Sequence, residues 1–216
     1  MKQRAQLGAV FAVMGASSAS LPATIPMRAN QLEVALGALM PGIPALFLGL
    51  FLGIAITPII SRTLTTTNHV RFGIALQTLG VLGIGFLDTQ QLFIISSLVL
   101  GLGFGQLEVL ITSIARVQSE NVGNLLTRLG IYLAAAAFLT PIGIITFDIL
   151  SASIVINLFI ALISLYLFLT FNTEQIEPHG KSFLVIRIAN KKVYLLIFAT
   201  TFYVGAETIL AGWSAV

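Results

Sequence analysis

Cysteine is absent from the 216 residues, which excludes disulfides, thiolate metal ligands and a cysteine nucleophile. Charge is scarce: 9% of the residues are Asp, Glu, Lys or Arg, against about 25% in a soluble domain. So few charges cannot cover the water-facing surface of a chain this long. A soluble enzyme, a nucleic-acid-binding domain and a secreted module are thereby excluded. Histidine occurs only at His69 and His179. Neither has partners at metal-ligand spacing, so both read as solvated loop residues, and neither a metal nor a cofactor is expected. What remains is apolar: 57% hydrophobic residues and a mean hydropathy of +1.00. The chain reads as an all-α polytopic protein whose main partner is the lipid bilayer.

Crossing a hydrocarbon core of about 30 Å takes about 20 mostly apolar residues. Seven runs qualify, at 6–25, 37–60, 72–87, 92–115, 125–147, 152–171 and 193–215. Unbroken runs of this length predict helices, since barrel strands are about 10 residues long and alternate in polarity. The net charge of +3 does not point to nucleic acid, because the basic residues sit between apolar runs. One alternating set of connections carries Lys2, Arg4, Arg62, Arg71, Arg116, Arg128, Lys181, Arg187, Lys191 and Lys192; the other carries Arg28 alone. The positive-inside bias then puts the N-terminus on the cytoplasmic side of the inner (plasma) membrane. The basic Met1–Arg4 start and the small Ala16-Ser17-Ser18-Ala19 stretch also resemble a signal peptide. The apolar stretch continues to Ile25, longer than a signal core, which favours a first span.

Most connections are about ten residues or fewer, but 172–192 is a polar stretch containing Glu174, Glu177, His179 and Lys181. It divides the chain into a six-helix part (1–171), a linker (172–192) and one further helix (193–216). The apolar end at Val216 reads as a truncation inside a longer protein. Phe11-Ala12-Val13-Met14-Gly15-Ala16 is faintly echoed by Phe202-Tyr203-Val204-Gly205-Ala206, as two repeats would give. The first six helices are expected to pack as two three-helix sets.

Two carboxylates lie inside apolar runs, Glu108 and Glu207. An intramembrane ionisable side chain normally faces protein or a water-filled cavity and marks function. Ser97, Gly101, Gly105, Glu108 and Thr112 step by three or four, so they share one small, polar helix face. Thr200, Tyr203, Glu207 and Ser214 share another. Glu108, Glu207, Thr112, Tyr203, Thr200 and Ser17 are therefore candidates for a solute or proton path. Ser17, Ser18, Ser20 and Gln77 also suit hydrogen bonds between helices. Gly101 with Gly105, and Gly49 with Gly53, suit close approach of another backbone. No span holds a His-Asp, His-Glu or paired-Asp set, so an enzyme is not expected.

Six helices, a longer cytoplasmic linker and a further helix resemble the major facilitator superfamily. Gly101-Leu102-Gly103-Phe104-Gly105-Gln106-Leu107-Glu108 is similar to the fourth-helix glycine run of its fucose-permease-like branch, with Glu108 at the proton-coupling position. Phe202-Tyr203-Val204-Gly205-Ala206-Glu207 resembles that branch's seventh-helix motif. Ser61 stands where the family carries an Asp, and the first helix has serines in place of an Asp. The resemblance implies a secondary transporter working by alternating access, its missing C-terminal half supplying the other side of a midplane site. It implies a small polar solute, such as a sugar, moved with protons. A complete seven-helix protein, receptor-like or an oligomeric transporter, and efflux of hydrophobic compounds are the rival readings.

Overall fold

A computed structural model describes residues 2–146 and 150–173. The seventh apolar run, most of the linker, and with them Glu207, Tyr203 and Thr200, lie outside the described residues. The elements are α1 (Lys2–Gln31), α2 (Leu36–Leu39), α3 (Gly42–Ile60), α4 (Thr66–Phe86), α5 (Gln90–Gln118), α6 (Val122–Thr146) and α7 (Leu150–Thr170). Among the described residues there is no strand, and six helices are long and apolar enough to cross a membrane. The described part of the chain is all-helical and membrane-embedded.

Local chemistry sets the helix starts. Pro41 precedes α3 and parts it from the single turn of α2. Thr65 and Thr89 accept the backbone N–H groups of Asn68 and Leu92, and Asn121 accepts that of Asn124. These caps satisfy orphan first-turn donors. The Thr65 cap starts α4 six residues before the apolar run at 72–87, a difference with consequences for His69.

The end of α1 is a Schellman motif. The Val34 N–H bonds the Ala29 carbonyl and the Glu33 N–H the Asn30 carbonyl. Glu33 takes the left-handed conformation there, with φ 55°. Glycine adopts that conformation without a Cβ penalty. Glu33→Gly is expected to stabilise the folded protein by about 0.5–1 kcal/mol, read as a higher midpoint of thermal unfolding in detergent.

Connections 61–65, 87–89 and 119–121 are tight, so successive long helices run antiparallel. The most extensive packing joins α3 to α5, α4 to α5, α1 to α6 and α4 to α7. All four pairs cross between the two sets that the sequence suggests, α1–α3–α4 and α5–α6–α7. The sets therefore interlock rather than stand side by side. Exchanging one set for the other maps α1·α6 onto α5·α3 and returns α4·α7 to itself. The helices exchanged run in opposite directions, so these pairs follow an inverted-repeat pattern, which the far more extensive packing of α4 on α5 than of α7 on α1 keeps approximate.

Glycine allows the closest of these approaches. A Cβ on Gly49 or Gly53 would run into the Leu98 or Leu102 carbonyl of α5. A Cβ on Gly101 or Gly105 would run into the Leu46 or Leu50 carbonyl of α3. The two glycine pairs are thus each other's partners across one parallel helix pair. Gly15 meets the Leu133 carbonyl in the pseudo-equivalent pair, α1 with α6.

The surface is apolar where that of a soluble fold is polar, and the largely apolar interior also holds polar side chains. On α7 the buried face carries Ser153, Asn157 and Ser164, while Val155, Phe159, Leu162, Tyr166 and Leu169 are exposed. Ser17, Ser20, Thr24, Gln77, Ser97 and Gln106 are likewise buried, and Phe51, Leu79, Ile95 and Phe138 exposed. Lipid is the solvent for which an apolar surface over buried polar side chains is favourable, although the Asn157 and Gln106 amides find no hydrogen-bond partner among the described residues.

Candidate functional site

Glu108 lies on the half of α5 nearer Arg116 and is exposed. At 100° per residue it is turned about 140° from Ile95, on the exposed apolar row of the same helix. It is turned only about 60° from Gly105, which abuts α3. Glu108 therefore does not share the Ile95 face. No ion pair to it is present among the described residues, where Arg28 with Asp88 makes the pair. Thr112 is half-buried one turn on, and Arg116 is exposed one turn further. The Thr112 hydroxyl donates to the Glu108 carbonyl at 2.6 Å and to that of Val109 at 3.1 Å. Glu108, Thr112 and Arg116 form a polar ridge leading from the interior of the span to its basic end.

The longer stripe read from the sequence is split. Ser97, Gly101 and Gly105 are buried, the glycines against α3, and the Ser97 hydroxyl is bonded to the Phe93 carbonyl. Only its lower part, Glu108 and Thr112, stays open, because α3 and α5 are in backbone contact at the glycines.

Ser17 is fully buried, and its hydroxyl accepts from Gln77 Nε2 at 2.8 Å. Gln77 Nε2 also donates to the Val13 carbonyl at 3.2 Å. In this structure Ser17 is part of an interhelical staple between α1 and α4, not of an open path.

His69 corrects the expectation of a solvated loop residue. It is fully buried in the first turn of α4, with Nδ1 3.1 Å from the Ser61 hydroxyl of α3. Its Nε2 faces the buried Gln106 amide of α5 without closing a bond of good geometry. Ser61 and His69 thereby join the end of α3 to the first turn of α4. The threonine cap at Thr65 was the available signal for it.

Two further groups escaped the sequence reading. Arg28 is 1% exposed and donates to Gln31 Oε1 and the Leu87 carbonyl, tying α1 to the α4–α5 turn. Asp88 lies 3.7 Å away with its side chain 78% exposed. At the basic end, three side chains receive the end of α7. Gln6 Nε2 donates to the Thr170 carbonyl at 3.0 Å, Arg71 Nε to that of Phe171 at 3.1 Å, and the Thr67 hydroxyl to that of Thr173 at 3.1 Å. Such donors satisfy helix C-terminal carbonyls.

No protein-family model matches the sequence, and no curated protein does.

Proposed function

We propose that this chain forms a solute path through the membrane, as part of a secondary transporter whose proton-linked group is Glu108. The observation that carries the reading is the exposed carboxylate of Glu108, inside a span yet turned away from the apolar row of its own helix. Hydrocarbon cannot solvate such a group, so it belongs to water, a solute or another protein surface. The inverted pairing of the two three-helix sets supports the reading, since transporter folds are often built from inverted repeats around a midplane site. The resemblance to the major facilitator superfamily adds the expectation of alternating access and of a second half facing this one. Under this reading Lys2 and Arg4 lie on the cytoplasmic side of the plasma membrane.

The chain has no native cysteine, so single introduced cysteines report directly. Glu108→Cys is expected to react with a water-soluble, membrane-impermeant thiol reagent when both membrane faces are open, and Ile95→Cys to stay unreactive. Equal protection of both would refute the path. For orientation, Asp88→Cys should be labelled in intact cells and Thr66→Cys only after permeabilisation. External labelling of Thr66→Cys would reverse the topology. In cells, Glu108→Gln should keep its membrane level and lose pH-driven solute accumulation.

A further inference from the structure

We infer that the solute accepted at Glu108 is an organic ammonium ion; the inference rests on the reading of Glu108 as part of the path. Two features of the ridge carry it. The first is charge. Glu108 has no ion pair among the described residues, and the buried cation of the bundle, Arg28, is engaged by Gln31, Leu87 and Asp88 on the α4–α5 side. Arg116 is the basic residue on the ridge itself, eight residues on and so about 12 Å further along the helix axis. A carboxylate inside a span with no cation beside it among the described residues is balanced by a proton or by a cationic ligand.

The second feature is the direction of the hydroxyl hydrogens. Thr112, about 40° from Glu108 on the ridge, spends its hydrogen on the Glu108 and Val109 carbonyls. A hydroxyl has one hydrogen to give, so what Thr112 leaves for a ligand beside Glu108 is lone pairs. Carboxylate oxygens and hydroxyl lone pairs together form a surface of acceptors. An ammonium group carries a positive charge and up to three donors, with no acceptor. It complements that surface in charge and in hydrogen-bond sense. A carboxylate solute is repelled by it, and a neutral polyol gains hydrogen bonds without the charge-assisted part, which is the stronger part. A proton and an ammonium then compete for the same carboxylate, so binding of one releases the other.

The test uses the full chain in lipid nanodiscs and three probes sharing one ring: 2-phenylethylammonium, 2-phenylethanol and 3-phenylpropanoate, with a neutral hexose as a fourth. Saturable binding is measured by equilibrium dialysis. The ammonium is expected to bind at least ten-fold more tightly than the alcohol and the carboxylate. Glu108→Gln should weaken it at least ten-fold while keeping its elution profile and unfolding temperature. Glu108→Asp, which retains the charge, should restore part of the binding. Proton release on adding the ammonium to weakly buffered protein is the second readout. Tighter binding of the alcohol or the hexose, abolished by Glu108→Gln, would overturn the ammonium inference and leave Glu108 in the path. Absence of saturable binding, or binding indifferent to Glu108, would overturn both.

Discussion

Gly101→Ala is expected to destroy the packed bundle, although it adds only one methyl group. The new Cβ would lie against the Leu46 carbonyl oxygen and the Leu50 nitrogen, both backbone atoms of α3. A flexible side chain in the way would turn aside; a helix backbone cannot. The α3–α5 pair would have to separate along its length, forfeiting the reciprocal contacts at Gly49, Gly53 and Gly105 as well. Overpacking a good core costs about 1–3 kcal/mol, and more where nothing can move. We expect at least about 3 kcal/mol here, a large share of the about 5–15 kcal/mol that holds a domain folded. Gly123→Ala and Gly130→Ala are the controls. Nothing lies within 4 Å of a Cβ at either position, although both are in α6. Those variants should be neutral or stabilising by up to about 1 kcal/mol, because Ala is the better helix former. The measurement is the monodisperse fraction and thermal midpoint of each variant in one detergent. A Gly101→Ala protein as stable as its parent would mean that α3 and α5 are further apart than described.

The helices themselves were legible in the sequence because apolar run length is a one-dimensional signal. Each of the first six runs has its helix, with ends moved by a few residues. What faces what was legible only in part. Both glycine pairs could be read as places for a neighbour, but not as each other's neighbour. α3 and α5 are parallel and separated by α4, and no short-range pattern encodes such a pairing. The polar stripe on α5 illustrates the same limit. Periodicity put Ser97, Gly101, Gly105, Glu108 and Thr112 on one face correctly. It could not tell that the glycines close that face onto α3 while Glu108 stays exposed. His69 was misjudged because the first turn of α4 is polar, so the apolar run begins after the helix does. Ser61 is bonded to that same histidine, a link visible only once α3 and α4 are folded back on each other.

Arg28→Ala is the second substitution expected to act strongly, and Asp88→Asn beside it decides why. Judged by charge alone, the two belong to one ion pair and should cost alike. Their surroundings differ. The Asp88 side chain is 78% exposed and 3.7 Å from the guanidinium, so water already solvates its charge. Only the Asp88 end of the pair is in water, and the buried guanidinium keeps its bonds to Gln31 and Leu87 without it, so Asp88→Asn should cost about 1 kcal/mol, well below Arg28→Ala. Arg28 is among the largest fully buried side chains of the bundle. Its removal takes the donor from the Leu87 carbonyl and from Gln31, and leaves a void between α1 and the α4–α5 turn. An orphaned buried acceptor costs about 1–3 kcal/mol and a large-to-small core change about 2–5 kcal/mol; together we expect about 3 kcal/mol or more. Arg28→Lys is expected to fall between the two, since one ammonium cannot reproduce the planar fork that reaches Gln31 and Leu87 at once. The Leu87 turn should also open, so that Asp88→Cys reacts faster with a thiol reagent in the Arg28→Ala background than in the parent. If Asp88→Asn proved as damaging as Arg28→Ala, the ion pair and not the hydrogen bonds would be what fastens α1 at this end. The guanidinium would then be a charge awaiting its counter-ion rather than a clasp on the backbone of α4.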